Sequence, residues 1–195
     1  RNEPVTGEIS IKAGGSIYDK TNLGFTGKTE TELAKLLAGS LPFGTFEVPS
    51  ATYFENQGGK PFSVLSYSLR IRDFIVKSTS RIYFKPCLSP FDYQPFDTID
   101  VRLFENSVEK DSITYRLPAN FTPEIIPPSV NIENRFGRYR CSSTMKSDGS
   151  LIYVREFALK KGIYRDTVAK ELFVFLNTVS LNDQKRIILG RTQSL

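Results

Sequence analysis

The sequence predicts an α+β fold, mostly antiparallel β, arranged as two β-rich sandwich-like subdomains that each carry one amphipathic helix. Three observations point there. Apolar and polar residues alternate with period two in several separate stretches, the pattern of strands with one buried face. Aromatic residues, which favour strands, are abundant, with 15 Phe and 9 Tyr against no Trp. Two other stretches repeat their apolar residues with a helical period. Many half-buried strands must cover one face, so sandwich-like packing is expected.

The first strand is Glu8–Lys12, with Ile9 and Ile11 on one face and Glu8, Ser10 and Lys12 on the other. Gly14-Gly15 is expected to turn the chain into a second strand near Ser16–Tyr18 that runs irregularly toward Phe25. A helix follows at about 29–41. Thr29 and Glu32 have capping-box spacing, Leu33, Leu36, Leu37 and Leu41 form its apolar face, Gly39 loosens its end and Pro42 stops it. Phe46–Glu55 reads as a strand with Pro49 at a bulge or edge. Gly58-Gly59 breaks the chain. In the next strand Leu65, Tyr67, Leu69 and Ile71 face inward and Ser66, Ser68, Arg70 and Arg72 outward. A strand near Arg81–Lys85 closes this half.

Pro86, Pro90 and Pro95 then fall within ten residues. Proline cannot donate to a strand ladder and restrains the residue before it. The expected break lies near Ser89–Gln94, dividing the chain into subdomains 1–92 and 93–195.

In the second half Ile99, Val101 and Leu103 alternate, as do Ile113, Tyr115 and Leu117. Pro127-Pro128 precede a strand at Val130–Arg135. Gly137–Lys146 sets Tyr139, Cys141 and Met145 against Arg138, Arg140, Ser142, Thr144 and Lys146. Asp148-Gly149 is a hairpin turn signal, with the return strand at Leu151–Leu159. Asp166 or Thr167 is expected to cap a helix at about 167–181, whose stripe is Val168, Leu172, Phe175, Leu176 and Val179. Asn182-Asp183 ends it, and Ile187–Leu189 is a short buried strand.

Composition narrows the function. The chain contains no histidine, which removes the commonest general base and metal ligand together. Its charge of +5 is thinly spread, with 11 Lys/Arg against 9 Asp/Glu in residues 1–92 and 15 against 12 in 93–195. A nucleic-acid footprint would be concentrated on one face, so no nucleic-acid partner is expected. No apolar run approaches the length needed to span a bilayer as a helix, so an integral membrane protein is not expected. The chain opens Arg1-Asn2-Glu3-Pro4 and reads as a piece of a longer precursor, with any targeting signal upstream.

Two cysteines are too few for a disulfide scaffold. Cys141 is expected to be a small buried hydrophobe, and Arg140 beside it to project from the opposite sheet face. Cys87 sits between Pro86 and Leu88 with no neighbouring base. Asp97 with Asp100, and Glu105 with Glu109, are close in sequence but lie in turn-like stretches and read as solvated surface. There is no CxxC or EF-hand spacing. No catalytic residue, cofactor or metal is assigned.

Several short segments of the second half run in a recognisable order: Thr114-Tyr115-Arg116-Leu117-Pro118, Phe136-Gly137-Arg138-Tyr139, Tyr153-Val154-Arg155, Leu159-Lys160-Lys161-Gly162-Ile163-Tyr164, and Asp183-Gln184-Lys185-Arg186-Ile187-Ile188-Leu189. Over residues 98–191 they resemble the C-terminal domain of unknown function that follows the core of bacterial transglutaminase-like, cysteine-peptidase-like proteins. Each segment is a folding device: Gly137 relieves backbone strain, Leu117-Pro118 ends a strand, Asp183 ends a helix. The family's catalytic Cys, His and Asp belong to the core domain, and none transfers to this chain. The resemblance implies a non-catalytic neighbour of an upstream transglutaminase-like domain, exported to the periplasm or cell surface.

Two groups of residues are candidates for partner binding. Arg138 and Arg140, with Arg135, Lys146 and Arg155, are expected to form a basic patch across neighbouring strands. The patch would either dock an acidic partner domain or serve as a solvated, edge-protecting face. Phe91, Tyr93 and Phe96, alongside Phe84, either fill a partner's pocket, stack on sugars, or plug the seam between the subdomains. The expected function is a non-catalytic accessory module for interdomain packing or partner binding, with a ligand- or glycan-binding β-sandwich as the alternative. Convergent titratable groups in a concave pocket would count against the non-catalytic expectation.

Overall fold

A computed structural model describes residues 5–41, 45–72, 75–93, 100–118 and 120–192. The first half comprises β1 (Val5–Gly15), α1 (Ser16–Phe25), α2 (Glu30–Ser40), β2 (Phe46–Glu47), β3 (Ala51–Asn56), β4 (Phe62–Ile71), β5 (Val76–Lys77) and β6 (Arg81–Phe84). There follow β7 (Asp100–Leu103), β8 (Ser107–Tyr115), β9 (Phe121–Ile125), β10 (Val130–Asn134), β11 (Gly137–Met145) and β12 (Leu151–Leu159). The chain closes with β13 (Gly162–Arg165), α3 (Asp166–Asp183) and β14 (Ile187–Arg191).

The fold is α+β and dominated by antiparallel sheet. The main sheet has eight strands in the order β10-β11-β12-β8-β1-β4-β2, with β3 also on β4. Strands from residues 1–92 and from 93–195 are joined in it, because β1 pairs with both β4 and β8. Ile9 therefore sits between Tyr67 and Ile113 on one face. That face is covered. A second sheet, β5-β6-β14-β9, shares a core with it through Ile82, Phe84, Phe121, Ile187 and Leu189, and α2 adds Leu33 and Leu37. Over the β10–β12 end, α3 and the ribbon β7–β13 form a second core around Tyr139, Phe157, Leu172 and Val179. The opposite face of the main sheet has no layer over it among the described residues. It carries small hydroxyl side chains, including Ser10, Ser66, Ser112 and Thr114 around a depression of about 320 Å³.

Several local expectations hold for the reasons given. Thr29 and Glu32 make both bonds of a capping box: the Glu32 N–H donates to Thr29 Oγ1 at 3.3 Å and the Thr29 N–H to Glu32 Oε2 at 2.8 Å. Asp148-Gly149 turns the β11–β12 hairpin, with Gly149 at φ 79 and the Ser150 N–H donating to Asp148 Oδ1 at 2.9 Å. Pro49 interrupts its stretch, leaving β2 and β3 as separate strands on the same edge of β4.

Others are corrected. Ser16–Phe25 is a helix rather than a strand, so the first half carries two helices. Gly15, at φ 64, ends β1 where any Cβ would lie 1.7 Å from the Asn106 carbonyl oxygen. The reversed backbone there starts a helix that buries Tyr18 and lies against β1, β4 and β8. Neither Asp166 nor Thr167 caps α3; Arg165 occupies the cap position and makes no side-chain capping bond. The buried stripe of α3 also extends one step further than expected, to Asp183.

Candidate functional site

Strict alternation along β12 sends Leu151, Tyr153, Arg155 and Phe157 to the covered face. Arg155 thereby enters the core rather than the basic patch expected on the other side, and only 1% of it is exposed. Directly opposite in the ladder stands Asp111 of β8, and two residues along the same face stands Glu109. The end of α3 brings Asp183 onto the group from above. A charged side chain in such a position persists only when paired.

The pairing is extensive. Arg155 Nε donates to Asp183 Oδ1 at 2.9 Å and Nη2 to Asp183 Oδ2 at 2.9 Å. Nη1 donates to Glu109 Oε2 at 3.0 Å and to Asp111 Oδ2 at 3.1 Å. Asp183 also accepts the Tyr139 hydroxyl at 2.7 Å and the Phe91 N–H at 2.9 Å. The guanidinium carbon lies 5.5 Å from the Phe157 ring centroid. One cation thus faces three carboxylates. Burial, then the Glu109 charge, push the Asp111 carboxyl up to about 7, against the pull of Arg155. Its Oδ1 is buried with no hydrogen-bond partner. Burial opposes charge on Arg155, but the Asp183 and Asp111 carboxylates together outweigh it and hold the guanidinium protonated beyond its ordinary range.

Arg155 and Glu109 form the floor of a cavity of about 770 Å³. Phe91, Phe157, Leu103 and Leu159 wall it, and Asp19, Lys20, Asp92, Arg102, Phe104 and Glu105 line it nearer the α1 and β7 sides. Phe91 meets Phe157 edge-on, with centroids 5.2 Å apart. Asp111 is not part of the wall. The reading of Glu109 as turn surface is corrected here: it belongs to β8 and turns inward.

The expected partner-binding residues fall in different places. Arg138 pairs with Glu156, which Lys110 also reaches at 3.2 Å. Arg140 donates to Asn131 Oδ1 at 2.8 Å and approaches Glu133 at 3.5 Å. The basic patch is therefore interleaved with carboxylates on the uncovered face. Phe91 and Tyr93 are half-buried against the α3 core, with Phe91 also on the cavity wall. Phe96 and Asp97 lie outside the described residues. Cys87 and Cys141 are both free. Cys141 is half-buried, and burial followed by the Asp183 charge pushes the Cys87 thiol well above its usual range. Among the described residues no group of three Cys, Asp or Glu is placed to hold a metal, and no helix is long and apolar enough to cross a membrane.

The signal that marks this site was present in the sequence. Arg155 shares the parity of Leu151, Tyr153 and Phe157; Asp111 shares that of Ile113 and Tyr115; Asp183 continues the stripe Ala169, Leu172, Leu176 and Val179. Charges on apolar parities, of both signs, announce a buried ion network.

Comparison with known proteins bears on the second half. Searches of the curated proteins and of the solved structures found no significant match. Residues 80–189 match a family described as a domain of unknown function, DUF3858. With more than half of its length inside that match, the chain belongs to the DUF3858 family.

Proposed function

We propose that the chain is a non-catalytic accessory module of a transglutaminase-like protein, working by packing against the catalytic portion of the same precursor. The observation that carries this reading is the uncovered face of the main sheet. A broad antiparallel face with no layer over it, surfaced by Ser10, Ser66, Ser112, Thr114 and the 44% exposed Val154, lets another domain approach its backbone closely. The resemblance of residues 98–191 supplies the partner.

The chemistry of the cavity supports the non-catalytic part. Asp111 titrates near neutrality but is off the wall, while Glu109 is on the wall but bonded to Arg155. The Cys87 thiol is buried and held protonated. The glycan-binding alternative calls for an exposed, coplanar aromatic pair. The pair Phe136–Phe175 is near-parallel at 25°, but both rings are buried, and the exposed Phe54 meets Phe62 at 51°.

Sedimentation of this chain mixed with the separately purified catalytic portion tests the reading. A one-to-one complex is expected, weakened about tenfold or more by Ser66→Glu with Ser112→Glu, as unpaired desolvated charges are costly at an interface. No complex, or turnover of amide or ester substrates by this chain alone, overturns it.

A further inference from the structure

We infer that the cavity floored by Arg155 and Glu109 is a binding site for an organic cation, an ammonium or guanidinium group carried on an alkyl stem. Its volume of about 770 Å³ lies within the range of small-molecule sites. Its walls are apolar and aromatic where Phe91, Phe157, Leu103 and Leu159 stand, which suits a stem. Beside it Phe104 is 84% exposed, a large ring left in water at the edge of a concavity.

The charge of the lining selects the head group. Asp19, Asp92, Glu105 and Glu109 face Lys20, Arg102 and Arg155. The Arg155 charge is already engaged from behind by Asp111 and Asp183, neither of which a ligand reaches. What the floor offers is therefore Glu109, whose Oε2 is on Arg155 and whose Oε1 has no hydrogen-bond partner among the described residues. A cation set there would take that oxygen and lie near the Phe91 ring, whose face attracts positive charge. An anion would meet the acid excess instead. A metal ion is a poor match, because the four wall carboxylates do not converge as ligands. The site lies on the covered side of the sheet, so this inference stands apart from the docking of a catalytic domain to the uncovered face.

The same chemistry has two sources, a free small cation and a basic side chain of a protein. Titration of the purified chain, followed by amide NMR shifts, uses three probes: agmatine, acetyl-Gly-Arg-Gly-amide, and glutarate as an anion on a similar stem. Saturable shifts at Glu109 and Phe104 with agmatine or the peptide, and none with glutarate, are expected. Tighter binding of agmatine assigns a free cation; tighter binding of the peptide assigns a protein segment. Glu109→Gln should weaken the bound cation about tenfold or more. Phe104→Ser, which alters a side chain already in solvent and keeps the fold, should weaken it several-fold and decides the matter if Glu109→Gln fails to fold. Failure of both cations to saturate by about 10 mM, equal binding of glutarate, or unchanged affinity in the folded variants overturns the inference.

Discussion

Arg155 and Asp183 meet as a two-pronged pair inside the protein, Nε on Oδ1 and Nη2 on Oδ2, both at 2.9 Å. The pair ties the end of α3 to the middle of the main sheet, and the Phe91 N–H on the same carboxylate ties in the proline-rich segment. Arg155→Met is expected to destabilise the protein by about 3–5 kcal/mol, because it strands buried carboxylates without a counter-charge. Adding Asp111→Asn and Asp183→Asn, which removes the stranded charges, should restore part of the loss. Chemical denaturation of the single and triple variants measures both effects.

Asp111 gives the fold a pH dependence of defined sign. Its folded carboxyl sits at about 7, raised by burial and by Glu109, with Arg155 opposing. Its contribution to stability is complete below the ordinary carboxylate range of about 4 and is lost as pH rises through about 7. Melting temperature should therefore fall between about pH 5 and pH 8 more steeply in the native sequence than in Asp111→Asn, where the amide holds the neutral form at every pH. Parallel slopes in the two proteins would refute the assignment.

Gly137 opens β11 where the neighbouring strand leaves no room for a side chain. A Cβ there would lie 1.9 Å from the Ala158 carbonyl oxygen. Gly137→Ala should cost about 3 kcal/mol or more, the upper end of overpacking effects, since backbone rather than a flexible side chain must move. Thermal unfolding reads this directly.

The start of α2 makes a smaller and more local prediction. Thr29→Ala removes the hydroxyl that accepts the Glu32 N–H and should destabilise by about 1 kcal/mol. Hydrogen exchange should quicken in the first turn of α2, while amides of β8 and β12 change only through the global term.

How much of this was legible depended on whether the controlling interaction was local. Leu65, Tyr67, Leu69 and Ile71 alternate because one strand face is buried, and the sequence carries that pattern in full. The Thr29–Glu32 cap is likewise contained in four residues. Ser16–Phe25 is not legible as a helix because it depends on the reversed backbone at Gly15, itself required by Asn106 far along the chain. Strand β9 is not legible because Pro123 argues against it; β9 is the edge strand of its sheet, where a missing N–H donor is tolerated. Glu109, Asp111 and Asp183 come together around Arg155 only through sheet order and helix docking, although their apolar parities mark each of them singly.

The central place of β1 bears on how the polypeptide matures during synthesis. At about 5–20 residues per second, roughly 5–20 s separate the emergence of Gly7 from that of Tyr115, its ladder partner about a hundred residues later. In the part of that interval after β4 has emerged, one rim of the β1–β4 pair has bare amides and carbonyls available to any passing strand. A fragment cut to the family's own span, 80–189, inherits the mirror problem, since β8 would present its rim with neither β1 nor β4 to seal it. The unit that sequence families delimit and the unit that can close its own sheet are thus different lengths of chain.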